Sequence, residues 1–141
     1  MRARGFTLIE LLVAVTIVAI LTAVAYPAYR NHVIRSQLVD ATAALADTRV
    51  RMEQFYADNR TYASGENCGV NPLPTLERFT LSCVLSNSNQ SYKITATGNS
   101  DSPVTGFSYS IDQANTRKTE SWAGAWGSVP ANGATRWLIK K

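Results

Sequence analysis

Residues Phe6 to Ala25 read FTLIELLVAVTIVAILTAVA, twenty residues carrying one charge, Glu10. As an α-helix rising about 1.5 Å per residue, this run covers about 30 Å, the thickness of a bilayer's hydrocarbon core. Ahead of it stand Met1-Arg2-Ala3-Arg4-Gly5. Under the positive-inside rule the two arginines stay cytoplasmic, so the remainder of the chain is expected outside the inner membrane. A secretory signal peptide is the competing reading, because Ala23-Val24-Ala25 imitates a small-x-small cleavage site. The apolar run is longer than the usual signal core, which argues against cleavage there.

Glu10 is costly in such a segment. An ionised carboxylate at the centre of an apolar helix costs about 2.5–3.5 kcal/mol on insertion scales, so an intramembrane acid marks a function with a partner. No Lys or Arg occurs between Phe6 and Tyr29, which leaves an α-amino group created by cleavage between Gly5 and Phe6. The alternative is a carboxylate that snorkels to the headgroups from the end of the helix.

Gly5-Phe6-Thr7-Leu8-Ile9-Glu10-Leu11 closely resembles the start of a type IV pilin, and Tyr26-Pro27-Ala28-Tyr29 and Arg35-Ser36-Gln37 extend the likeness to about residue 60. The resemblance implies that a prepilin peptidase removes residues 1–5 after Gly5 and methylates the new amine of Phe6. It also implies that the Glu10 carboxylate pairs with the N-terminal amine of a neighbouring pilin subunit. That pairing moves the helix from the bilayer into a filament, with the inner-membrane pilus assembly machinery as a further partner. Mutual neutralisation offsets the desolvation that each charge suffers alone. The five-residue leader and the Phe at the mature start resemble the type IVa subclass.

Beyond Pro27 the pattern becomes one-sided. Ile34, Leu38, Ala41, Leu45, Thr48, Met52 and Phe55 recur at alternating spacings of four and three, one face of a helix. Arg35, Asp40, Asp47, Arg51 and Asp58 fall on the other side. Small residues within the stripe favour packing on a sheet over a coiled coil. Pro27 removes one N–H and clashes with the carbonyl four residues back, so a bend is expected there. The family resemblance adds loss of helical hydrogen bonding near this proline in filaments. Ala19, where many relatives have glycine, opposes melting further upstream.

Residues 57–77 read as a loop, with Gly65, Gly69, Pro72 and Pro74. Strands are expected at 78–85, 91–97, 106–111 and 116–122, separated by polar turns, which predicts an antiparallel meander. The C-terminal loop, residues 123–141, is expected to be irregular over 124–133 and to return as an edge strand over 136–139. The expected class is therefore α+β, a pilin fold with a long N-terminal helix packed on a four-stranded antiparallel sheet. Its organisation is leader 1–5, apolar helix 6–28 and globular domain 29–141. Cys68 and Cys83 lie fifteen apart. Outside the cytoplasmic membrane a disulfide is the natural reading, with a pair of buried thiols as the alternative. Many pilins bridge the C-terminal segment instead, so Trp122, Trp126 and Trp137 are candidates for holding it here.

The remaining composition bounds function. The chain has 141 residues, one domain's worth, and 14 basic against 10 acidic residues. Removing Arg2 and Arg4 leaves a surplus of +2, small for a nucleic-acid binder. Two cysteines and one histidine do not make a zinc site, and no nucleophile–base pair or phosphate loop stands out, so neither an enzyme nor a metal or other cofactor is expected. His32, among polar residues, is expected at the surface. Three readings remain. The first is a major or minor pilus subunit serving adhesion, twitching motility or DNA uptake. The second is a type II secretion pseudopilin, disfavoured by the cysteine pair and by dispersed acids. The third is a DNA-receptor pilin, for which Lys93, Arg117 and Lys118, interleaved with Tyr92, Trp122 and Trp137, are the candidate contacts. Acids such as Asp112 and Glu120 among these cations make weak DNA binding the expectation.

Overall fold

The computed structural model describes residues 6–123, 126–127, 129 and 134–140. The leader and most of 124–133, expected to be irregular, lie outside the described residues.

Helix α1 runs Leu8–Asn59, longer than the sequence pattern indicated at its C-terminal end. It is helical through Pro27, where the sequence predicts a bend. The proline removes one N–H from the ladder, and a bend of the kind expected there does not end the helix. Compact unit 1 comprises Met1–Val33 and unit 2 comprises Ile34–Lys141. In unit 1 every residue from Phe6 to His32 is exposed. The helix is long and apolar enough to cross a membrane.

In unit 2 the helix obeys the predicted stripe. Ile34, Leu38, Ala41, Thr42, Leu45, Thr48 and Met52 are buried, and Phe55 is half-buried. The helix faces a four-stranded antiparallel sheet of β3 (Phe79–Ser86), β4 (Ser91–Gly98), β5 (Ser108–Asp112) and β6 (Arg117–Ser121), in that spatial order. Alternation sets the faces. Tyr92, Ile94 and Ala96 of β4 point into the core, while Lys93, Thr95 and Thr97 point out. Cross-strand rows Leu81–Ala96–Tyr109 and Cys83–Ile94–Ile111 build the inner layer against the helix. Burial of this apolar surface is the main source of the unit's stability.

The loop expected over 57–77 contains a small antiparallel hairpin, β1 (Ala63–Ser64) with β2 (Asn67–Cys68). A disulfide joins Cys68 to Cys83, with Cα atoms 6.3 Å apart, and ties this hairpin to β3. Gly69 sits under the Phe55 ring, where a Cβ would clash with the aromatic carbons. Gly98, at the end of β4, lies against the Val104 carbonyl and donates its N–H to Phe107 O at 2.9 Å, closing the 99–106 loop. The expected edge strand at 136–139 is absent. One bridge, Thr119↔Ala134, brings the C-terminal segment to β6.

Candidate functional site

The helix start explains how Glu10 is presented. Thr7 caps it, because its hydroxyl accepts the Glu10 N–H at 3.3 Å and its carbonyl accepts the Leu11 N–H at 3.2 Å. Thr-x-x-Glu is the spacing of a capping box, and it puts a carboxylate in the first turn, where the helix dipole favours an anion. Around this carboxylate the surface is apolar, with Phe6 78% and Leu8 80% exposed. The two hydroxyls further along, on Thr16 and Thr22, donate to Leu12 O and Val18 O. Each thus satisfies its own donor without water, as an apolar surround requires. A helix face of this extent is covered by lipid or by other apolar helices. Gly5 lies outside the described residues, exposed Phe6 stands two residues ahead of the helix, exposed Glu10 lies in its first turn, and Pro27 lies within it.

The candidate polyanion contacts do not form one patch. Lys93 and Lys118 lie on the outer face of the sheet and share a cavity of about 90 Å³ with Ser110, Asp112 and Thr116. Arg117, adjacent to Lys118 in a strand, points to the opposite face, where it pairs with Ile111 in register and lies 4.9 Å from the centre of the Trp137 ring. Lys93 is engaged, its Nζ 2.6 Å from Glu120 Oε1. That same oxygen accepts the Ser110 hydroxyl at 2.6 Å. The Lys93 ammonium and then the Ser110 hydroxyl hold the Glu120 carboxyl below the usual carboxylate range, against the opposing effect of burial. Lys118 makes no ion pair among the described residues.

The aromatics interleaved with those cations are mostly internal. Tyr92 is buried and donates its hydroxyl to Glu53 Oε1 at 2.9 Å. Trp122 and Trp126 pack edge-on against Phe107 and each other. Trp137 donates its indole N–H to Ser110 O at 2.9 Å.

Two arrangements were not visible in the sequence reading. Glu53 on α1 accepts both Tyr92 and Tyr62, the latter at 3.0 Å, tying helix, hairpin loop and sheet through one carboxylate. Thr119, fully buried, makes several of the bonds that hold the C-terminal segment. Its backbone pairs both ways with Ala134, its hydroxyl donates to Arg136 O at 2.8 Å, and the Leu138 N–H donates back to that hydroxyl at 2.9 Å. The available signal was period two in Arg117-Lys118-Thr119-Glu120-Ser121, which turns Thr119 inward with Arg117.

These features meet known proteins at several points. A family model described as the prokaryotic N-terminal methylation motif matches residues 1–26. Another, described as type IV minor pilin ComP, DNA uptake sequence receptor, matches residues 27–120. The fimbrial protein EcpC of Eikenella corrodens is 33% identical over 95 residues, covering 67% of this chain and 61% of that one. The type IV major pilin protein PilE1 of Neisseria gonorrhoeae is 34% identical over 67 residues, 48% of this chain and 31% of that one. This chain therefore spans less than two thirds of the length of either relative. The fold is shared with the non-core minor pilin PilV of Neisseria meningitidis, at a TM-score of 0.53 and 18% identity over 66% of this chain and 92% of that one. The chain belongs to the type IV pilins, in the minor-pilin ComP family whose model spans residues 27–120.

Proposed function

We propose that the chain is a subunit of a bacterial type IV pilus, held in the inner membrane as a monomer and drawn into the filament by its N-terminal helix. A prepilin peptidase removes residues 1–5 and methylates Phe6. Glu10 then pairs with the amine of a neighbouring subunit. The observation that carries this reading is the exposed apolar run from Phe6 to Ala25, helical from Leu8, with one carboxylate in its capped first turn. Filaments sheared from cells and analysed by intact mass test it. The expected mass lacks Met1 to Gly5 and carries one added methyl on Phe6. A mass that retains the leader, or one that begins after Ala25, overturns it.

The ComP family match favours a second reading, in which the same subunit receives DNA. Lys118 and Lys93 on the outer face supply its phosphate contacts, with Arg117 apart from them. Residues 29–141 carry 12 basic and 9 acidic side chains. Phosphate contacts dominate non-specific affinity and weaken steeply with salt, so general electrostatic binding by so small a surplus falls away near physiological salt. A gel shift with the chain in neutral detergent separates the cases. Binding kept at about 0.15 M salt and lost in Lys93→Ala/Lys118→Ala supports DNA reception. Release at that salt leaves the structural subunit alone.

A further inference from the structure

Directly beyond the apolar run, Tyr26, Tyr29 and Arg30 stand at positions i, i+3 and i+4 of α1, and this spacing places them on one helix face. The two tyrosines are 62% and 68% exposed, and Arg30 is also exposed. Among the described residues Arg30 has no ion pair. The sequence gives it no acid nearby, since none occurs between Glu10 and Asp40. Arg35, by contrast, has its guanidinium 5.8 Å from the centre of the Trp126 ring and is engaged within unit 2.

Two tyrosines and an uncompensated cation at the end of an apolar span match the chemistry of the bilayer interface. Amphipathic rings settle at headgroup level, and a cation there is attracted to anionic lipid. A cation just outside the membrane on the translocated side is also disfavoured by the positive-inside rule, unless an anion meets it there. We infer that Tyr26, Tyr29 and Arg30 form a collar that binds the phosphate headgroup of an anionic phospholipid in the outer leaflet of the inner membrane while the subunit is a monomer. The headgroup phosphate accepts from the guanidinium, and the tyrosine rings lie along the glycerol and upper acyl region with their hydroxyls toward water. This rests on the membrane-anchored reading of the helix.

The test uses the full chain reconstituted into vesicles of equal amounts of phosphatidylglycerol and phosphatidylcholine, then released for native mass spectrometry, which counts the lipids retained. The wild-type chain is expected to retain phosphatidylglycerol preferentially. Arg30→Gln should reduce that preference about fivefold, equivalent to about 1 kcal/mol for one cation near an anionic surface. Arg30→Lys should keep it, because the headgroup is met as a charge. Arg35→Gln should also keep it, because that side chain lies against Trp126. An unchanged preference in Arg30→Gln, or no preference in the wild type, overturns the collar. A chain that fails to enter vesicles at all overturns the membrane-anchored reading and the collar with it.

Discussion

The buried Thr119 hydroxyl is one of three ties, with the Tyr109 hydroxyl and the Ser110 carbonyl, that hold the C-terminal segment on the sheet. Thr119→Val keeps shape and β-branching but leaves the Leu138 N–H and Arg136 carbonyl without partners beside the sheet. Leaving a buried donor or acceptor unsatisfied costs about 1–3 kcal/mol, so the variant should unfold about 2 kcal/mol earlier in urea, with the sheet otherwise intact. Tyr109→Phe removes a second tie to the same segment, the 2.6 Å bond its hydroxyl donates to Leu138 O. Because both act on one stretch of chain, the double variant should lose less than the two single losses combined. Additive losses would show that the ties act independently. The tyrosines also set an alkaline limit. Burial, and then the hydrogen bond to Glu53, pushes Tyr62 up to about 12, from the ordinary value of about 10. Burial likewise pushes Tyr92 and Tyr109 upward. Between pH 10 and 12 the unfolded chain releases protons that the folded chain still holds, so the stability linked to Tyr62 is fully present below pH 10 and is lost as pH rises through this window. Spectrophotometric titration should show a late tyrosine step coinciding with loss of the fold. Full ionisation of all six tyrosines near pH 10 with the fold intact would contradict it.

Among the elements, the hairpin β1–β2 is held to the sheet by the Cys68–Cys83 disulfide, by the Tyr62 N–H donating to Asn89 O at 3.0 Å, and by little ladder pairing of its own. Cys68→Ser/Cys83→Ser should therefore cost about 3 kcal/mol, as the chain-entropy account gives for a loop of this length. Hydrogen exchange should rise in residues 61–70 while β4 and β5 remain protected. Equal exchange gains across the sheet would show that the disulfide supports the whole fold rather than the hairpin. What could be read from sequence follows from the same distinction. The stripe from Ile34 to Met52 was legible because a helix repeats its buried positions, and the β4 face because a strand alternates them. Arg117 and Lys118, grouped from sequence as one surface, violate that alternation. Adjacent strand residues face opposite sides, and the structure separates them accordingly. The C-terminal return, expected as a strand, is held instead by bonds to Thr119, Tyr109 and Ser110, which leave no periodic trace. The hairpin is silent in the sequence for a similar reason, since two-residue strands are too short to show alternation.

At the scale of the whole molecule, one carboxylate has opposite effects in the two environments proposed for the helix. In the bilayer an acid is a cost, even near a helix end where the Thr7 cap and the dipole soften it. In the proposed filament a neighbouring subunit's cationic amine meets it, and such a pair is stable where either charge alone is not. Glu10→Ala should therefore leave the amount of monomer in the inner-membrane fraction unchanged or raised, since the insertion cost disappears. In the filament it leaves the neighbour's amine buried without a counter-charge. Truncating one member of a buried ion pair costs about 2–5 kcal/mol, enough to exclude the variant when it competes with other subunits for assembly. Glu10→Asp keeps the charge on a stem one methylene shorter and should assemble at an intermediate level, which separates loss of charge from loss of reach. Quantitative immunoblots of membrane and sheared-filament fractions read both arms at once. Glu10→Ala present in filaments at the wild-type proportion would rule out pairing with the neighbour's amine, and would assign the carboxylate to capping its own helix.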